Sequence, residues 1–471
     1  MPDAPRLGGK IRTLRRNAGL TQTKLAEMLG ISPSYLNLIE HNRRALPAML
    51  LLKLAQQFDL ELAAFQDDDT ARLESELMEV FGDSLFVPHD ITNIDVRELV
   101  HHHPNAARAV RSLYAALQGT REQAQALAHN PDAVAGRSVL PSEEVSEFIQ
   151  SHMNHFPELE TVAGGLIGEA GLEPNDIQSG LVRYLEDVLD IRVRFVRAGS
   201  LGRTVRRLNR KRRELEISEV LPPRTRNFQL AHAVALLGHS DLLDRLTDDP
   251  TLTLAESRRL GRIALANYFA GAVLMPYEPF LTACEEERYD VELIGHRFRV
   301  SFEQVCHRMT TLRRPGREGV AFHLIRIDIA GNISKRFSAS GIRFARYSGA
   351  CPRWNVFQAL LTPGRVQTQL SVMPDGETFF CFARTLSKGD AGYHVTPSVH
   401  VIGLGCAVNQ SEKLVYSDGW DLTAPANAVP IGVTCRLCER NDCTQRAMPS
   451  VGHPMRIDED IRAAAFYAAS D

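Results

Sequence analysis

No apolar run in the 471 residues reaches the eighteen or so positions that a membrane span requires, which excludes a membrane-spanning helix. The opening MPDAPRLGGKIRTLRRNAGL carries charges where a signal peptide needs an apolar core. Export is therefore not expected, and the cytoplasm is the expected location. No cysteine precedes Cys284; the eight are Cys284, Cys306, Cys351, Cys381, Cys406, Cys435, Cys438 and Cys443. In a reducing compartment the tightest of these clusters points to metal before disulfide. No internal repeat or low-complexity tract is present, so a repeat architecture is excluded. What is there is ordinary: 44% hydrophobic and 24% charged residues over a length that suits two to four domains.

The net charge of -3 is unevenly spread. Residues 1–58 hold nine lysines and arginines against three acids, a net of +6 that can attract a phosphate backbone. An acidic stretch, Asp59 to Asp69, follows. Ala71 to Phe81 then has the pattern of a short amphipathic helix, and helical periodicity continues from Val96 to Leu127. Asn130 to Ser142 has the composition of a loop, placing a boundary near residue 140. Helical patterns resume from Glu143 to Leu189 and recur over Thr225–Leu246 and Leu254–Leu274. Strand-like runs occupy Ile191–Val196, Arg213–Ile217, Ala321–Ile329, Gln367–Met373, Thr378–Arg384 and His400–Cys406. The last four suggest an antiparallel sheet with flanking helices.

Thr21 can cap a helix over Gln22–Leu29, Gly30 supplies the turn that ends it, and Ser32 caps a second helix opened by Pro33. The stretch LTQTKLAEMLGISPSYLNLIEHNRRALP resembles the helix-turn-helix of phage-repressor-like (XRE-type) regulators. That resemblance implies that Ser34, Tyr35 and Asn37 face base edges in the major groove, with Asn37 the principal base reader. Gln22, Arg43 and Arg44 would contact phosphates and fix the register.

RNFQLAHAVALLGH, followed by LANYFAGAVLMP, resembles the core of the ImmA/IrrE-type zinc peptidases, in which an HExxH helix supplies two zinc ligands and a base. Only His232 matches. Ala233 replaces the base, Leu236 the second histidine, and Leu265 the acidic ligand before Ala266 and Asn267. One imidazole cannot hold zinc unaided, so this is a peptidase-like scaffold without peptidase activity. His239, seven residues on, shares a face with His232 but makes a poor zinc pattern. The basic run Arg203–Arg213 invites a second nucleic-acid reading, but its alternation with Val205, Leu208 and Leu215 favours a hairpin with one charged, solvated face. His101–His103 are expected in a solvated turn before Pro104.

CRLCERNDC places Cys435, Cys438 and Cys443 in a C-x2-C-x4-C array, to which Cys351 is the first candidate for a fourth ligand and His453 the second. Three neighbouring free thiols are the alternative. Cys381 and Cys406 alternate with apolar residues and belong to a core. Arg343, Arg346, Tyr347, Arg353 and Trp354 surround the Cys351 turn and offer cations for phosphates beside an apolar slot. Arginines on an exposed sheet rim are the competing explanation.

In order, a helix-turn-helix, a degenerate peptidase-like segment and a domain with GACPRWNVFQAL and CRLCERNDCTQRAMP are similar to the short-chain fatty acyl regulator family, including its propionate and methylcitrate regulators. The expected fold is therefore multidomain. It comprises an α helix-turn-helix domain (1–65), a helical connector (66–140), an α+β peptidase-like domain (141–315) and an α+β C-terminal sheet domain (316–471). The resemblance implies a non-enzymatic regulator that binds operator DNA as a homodimer or higher oligomer and responds to short-chain acyl-CoA. It also implies a four-iron, four-sulfur cluster on Cys351, Cys435, Cys438 and Cys443, with zinc as the alternative metal because thiolates serve either. A redox or iron sensor without acyl-CoA, and a zinc peptidase acting on a repressor, are the other function classes.

Overall fold

In the computed structural model two capped helices follow the helical residues Ile11 and Arg15. The Thr21 side chain accepts from Lys24 N at 3.2 Å at the head of α1 (Gln22–Leu29), and Gly30 ends it at φ 70. Only glycine takes that left-handed turn without cost. Ser32 accepts from Tyr35 N at 3.1 Å and starts α2 (Pro33–Glu40). The structure describes residues 11, 15, 20–40, 44, 46–47, 49–50, 53–54, 58, 68–89, 91–129, 140–197, 200–202, 204–345, 350–388, 397–435, 438–440 and 442–450.

Contacts divide the chain into two units, Met1–Tyr114 and Ala115–Asp471. In the first, Ile11, Leu25, Leu29, Leu36, Ile39, Leu50 and Leu54 make one small core around α1 and α2. Helices α3 (Asp68–Phe81), α4 (Asn93–His102) and α5 (Pro104–His129) follow, α5 running on past Tyr114 into the second unit. The helical pattern read through Val96–Leu127 is thus broken at His103, because proline cannot donate to the helix ladder and disfavours α geometry in the residue before it. The expected turn at His101–His103 shrinks to His103 alone; His101 and His102 form the last turn of α4.

Beyond α5 the second unit continues with α6 (Pro141–Ser151), α7 (Pro157–Glu169) and α8 (Ile177–Arg183). Helix therefore starts within the segment read as a loop to Ser142; residues 130–139 lie outside the described set. A three-stranded sheet of order β1-β3-β2 follows, from β1 (Arg192–Val196), β2 (Arg206–Asn209) and β3 (Glu214–Ser218). The β2–β3 pair is the antiparallel hairpin that the alternation predicts, and β1 joins β3 in parallel. Helices α9 (Pro223–Gly238) and α10 (Ser240–Leu246) replace the single helix expected over Thr225–Leu246, with His239 as the break. They are followed by α11 (Ala255–Leu274), α12 (Tyr277–Glu286), α13 (Val291–Phe298) and α14 (Phe302–Met309).

The larger sheet runs β5-β4-β8-β7-β6-β9. Its strands are β4 (His323–Asp328), β5 (Ile333–Ser338), β6 (Gln367–Val372), β7 (Thr378–Lys388), β8 (Ser398–Ala407) and β9 (Ala428–Pro430). Its pairs are antiparallel except β6–β9, which is parallel, so the expected antiparallel sheet is mixed at one edge. Sequence reading missed β5 and β9, the first largely polar and the second three residues long. Phe380 and Phe382 point into a core shared with α12–α14, while Phe379, Cys381 and Ala383 point to the other face under α15 (Asn355–Leu361). Both faces are covered, which is why these strands read as continuous rather than alternating apolar runs.

Candidate functional site

In the first unit the recognition helix is held by a buried carboxylate that sequence reading missed. Glu40, 1% exposed, accepts from Arg15 Nε at 2.6 Å, Arg15 Nη2 at 3.1 Å and Gln22 Nε2 at 2.7 Å. The hydrogen bond to Glu40 is the main reason the Arg15 pKa is raised. Gln22 Oε1 in turn accepts from Asn37 Nδ2 at 3.5 Å, so the expected base reader and the expected phosphate contact meet side by side. Ser34 and Asn37 are exposed and Tyr35 is half-buried. The Arg44 guanidinium lies 5.2 Å from the Tyr35 ring centroid, which anchors a cation just past α2. Arg43 lies outside the described residues. An exposed amide, a hydroxyl and a cation on one capped helix form a surface suited to base edges and phosphates.

In the second unit, His232 sits on α9 against α11. Its Nδ1 lies 2.8 Å from Arg206 Nη1, and because a guanidinium can only donate, Nδ1 is the acceptor. Nδ1 of the one retained histidine is thus occupied by a cationic donor, and the Ile263 backbone lies close to the ring. Arg206, itself bonded to the Gln229 carbonyl at 3.1 Å, places a cation beside the one retained histidine. Leu265 is buried apolar packing, Asn267 faces solvent, and His239 stacks obliquely on Phe269 rather than joining His232.

Burial, with the Arg206 charge second, lowers the His232 pKa from 6.5 to about 3; burial does the same to His323. Both rings are neutral in the folded protein and take up a proton on unfolding below pH 6.5. Their contribution is therefore complete above pH 6.5 and is lost as pH falls toward 3. The slope should be about 1.4 kcal/mol per pH unit for each ring. Urea midpoints of the wild type and of His232→Gln between pH 6.5 and 4 check this, the variant losing one ring's share of the slope.

The third cluster lies beside α15. Cys351 is buried, with the backbone N–H groups of Arg353 and Gly432 directed at its sulfur and with Cys435 and Cys438 close by. Burial pushes its thiol up, the two N–H groups oppose that, and the neighbouring thiols add to the rise. Ala447 N donates to Cys435 Sγ at 3.5 Å. Arg446, buried and not anticipated, staples the loop by donating to the carbonyls of Cys435 at 2.6 Å, Cys438 at 2.7 Å and Arg440 at 2.5 Å. Cys443 is half-exposed and accepts Arg446 N through its carbonyl. Among the described residues, no three His, Cys, Asp or Glu side chains converge to hold a metal ion. His453 lies outside the described residues. Cys381 and Cys406 are in the core, Cys381 Sγ lying 3.5 Å from His323 Nε2.

Trp354 is 5% exposed, and its Nε1–H has no hydrogen-bond partner among the described residues. It lines, with His323, Ile325, Ile342, Gln369 and Cys381, a cavity of about 10 Å³, room for a single water. Arg353 is half-buried and its carbonyl accepts Gln369 Nε2 at 2.9 Å; Arg343 is half-buried nearby in sequence. Arg346 and Tyr347 lie outside the described residues.

A DNA-reading helix pair on a chain whose peptidase-like helix has lost its metal-binding face defines a transcriptional regulator rather than a hydrolase. Residues 11–65 match a helix-turn-helix model, 186–310 an IrrE N-terminal-like domain, and 311–467 the model described as short-chain fatty acyl coenzyme A regulator, C-terminal. The chain is 38% identical over 463 residues to the HTH-type transcriptional regulator RamB of Mycobacterium tuberculosis, covering 96% of each chain. It is 38% identical over 474 residues to PrpR of the same organism, covering 98% of this chain and 96% of that one. To the propionyl-CoA carboxylase regulator of Cereibacter sphaeroides it is 37% identical over 469 residues, 98% of each. A solved Mycobacterium tuberculosis transcriptional regulator matches with a TM-score of 0.67 and 39% identity, over 70% of this chain and 99% of that chain. The chain belongs to the short-chain fatty acyl coenzyme A regulator family of helix-turn-helix transcriptional regulators. Among the described residues, no helix is long and apolar enough to cross a membrane.

Proposed function

We propose that this cytoplasmic regulator binds operator DNA as a homodimer and changes its DNA affinity when a short-chain acyl-CoA occupies the C-terminal domain. The observation that carries the reading is the presence of DNA-reading and acyl-CoA-regulator segments in one chain, at residues 11–65 and 311–467. An acyl thioester would have to widen the one-water cavity beside Trp354, and the open Trp354 N–H would then suit its carbonyl oxygen. Arg343 and Arg353, with Arg346 and Tyr347, are assigned to the CoA phosphates. Two copies would match a palindromic site, because one helix-turn-helix buries little DNA surface.

Cys351, Cys435, Cys438 and Cys443 are assigned to a four-iron, four-sulfur cluster, which would supply a redox-sensitive cross-link between the Cys351 turn and the C-terminal loop. Four thiols with N–H groups directed at two of the sulfurs suit thiolate ligands. Zinc is the alternative metal for the same four sulfurs, because thiolates serve either. The same N–H···S bonds favour a second reading, in which the cluster itself is the signal.

Promoter fragments titrated with purified protein, with and without propionyl-CoA, test the proposal. Salt-sensitive binding should shift about 5–150-fold with the effector. A DNA affinity indifferent to acyl-CoA but moved by cluster oxidation would select the second reading. Asn37→Ala should reduce discrimination between operator and random DNA by about 1–3 kcal/mol, measured by competition binding. Unchanged discrimination would remove Asn37 as a base reader.

A further inference from the structure

The densest charge in the chain is not in the helix-turn-helix. Residues 191–213 carry ten lysines and arginines and no acid. This segment is β1, β2 and the turn into β3, and the structure shows which of its cations are already used. Arg206 bonds to His232 and the Gln229 carbonyl. Arg213 bonds to the carbonyls of Leu189 and Asp190 and pairs with the Asp190 carboxylate. Arg194 pairs with Glu214 at 2.9 Å and Arg207 with Glu216 at 3.8 Å. The remaining described cations, Arg192, Arg197, Arg210, Lys211 and Arg212, are exposed, and none has an acidic partner among the described residues.

Three of these, Arg210, Lys211 and Arg212, are consecutive at the hairpin tip. The tip is held from both sides. Asn209 Oδ1 accepts Arg212 N at 3.0 Å, and Arg213, in the left-handed region at φ 51, is locked to the Leu189 and Asp190 carbonyls just before β1. A tied backbone thus presents three adjacent like charges to solvent. Three adjacent like charges held at one tip sum to a local positive potential that attracts polyanions. Duplex DNA, with one charge per about 1.7 Å of axis, offers several phosphates to such a row.

We propose that the β2–β3 hairpin tip is a second DNA contact, in which Arg210, Lys211 and Arg212 neutralise backbone phosphates without reading bases. The proposal rests on the DNA-binding reading of the chain and adds to it a contact outside the helix-turn-helix. Tethering to a base-reading unit raises the effective concentration of the tip at the duplex, so weak contacts suffice.

The test compares the full chain with the triple variant Arg210→Ala, Lys211→Ala, Arg212→Ala. Operator binding is measured from about 50 to 200 mM salt. Each phosphate contact contributes about -0.9 to the slope of log affinity against log salt. The triple variant should flatten that slope by about 2–3 per chain and weaken binding about tenfold or more at the upper salt limit. Operator-over-random discrimination should stay as in the wild type, because phosphate contacts carry no sequence information. An unchanged slope in a variant with wild-type thermal unfolding overturns the proposal. So does a loss of acyl-CoA affinity with an unchanged slope, which would assign the tip to the phosphates of the nucleotide ligand. Absence of salt-dependent DNA binding in the wild type would instead overturn the DNA-binding reading and the tip contact with it.

Discussion

Arg308→Met should destabilise the second unit by about 3–5 kcal/mol, the usual effect of leaving one member of a buried ion pair without its partner. Arg308 is 1% exposed at its side chain and bonds to Glu160 in bidentate fashion, at 2.6 and 2.9 Å. It also donates to the Met275 carbonyl and to Thr311 Oγ1, both at 2.9 Å. Tyr268 completes the set by donating to Glu160 Oε1 at 2.5 Å. One guanidinium therefore ties α7, α11 and α14 together at the junction between the peptidase-like segment and the sheet domain. Burial alone would push the Glu160 carboxyl up, but the charge and hydrogen bonds of Arg308 outweigh it and hold the pKa below 4.5. Stability from this group is present above pH 4.5 and is lost as pH falls through the lowered value. Urea unfolding followed by fluorescence reports on this unit, because Trp354 and Trp420 both lie in it. Adding Glu160→Leu to Arg308→Met should recover most of the loss by removing the orphaned charge. A single variant within 1 kcal/mol of the wild type would mean that the pair is structurally dispensable.

Glu40→Ala should destabilise the helix-turn-helix by about 3 kcal/mol and abolish operator binding, for the same physical reason in a much smaller core. The change strands the Arg15 guanidinium and frees Gln22, whose carbonyl oxygen holds Asn37. Hydrogen exchange of α1 and α2 is the suitable readout, as neither tryptophan is in that unit. Glu40→Gln, which keeps hydrogen-bonding capacity, should lose less. Full protection and normal operator affinity in Glu40→Ala would contradict the positioning role assigned to this carboxylate.

The helix-turn-helix was legible because its signals are local. Thr21, Gly30, Ser32 and Pro33 act within one turn of themselves, and the β2–β3 hairpin follows from alternation in the same way. The break at His239 was not seen in the helical pattern, since hydrophobic periodicity continues across a one-residue interruption, whereas the turn before Pro104 was expected and only its extent changed. The mixed edge at β9 was missed because three residues carry too short a pattern, and their strand state depends on pairing with β6.

Residue identities alone established the order of parts, the capped helices, and the loss of a zinc set at Ala233, Leu236 and Leu265. They did so because each depends on neighbours within a few positions. That Glu40 orients Asn37 through Gln22, that Arg206 sits against His232, that Arg308 joins three helices and that Arg446 staples the cysteine loop emerged only with the folded chain. Most of these partners lie tens to more than a hundred positions apart, and an ionic or polar bond over such a separation leaves no periodicity in a single sequence; it exists once packing has brought the two groups out of water together.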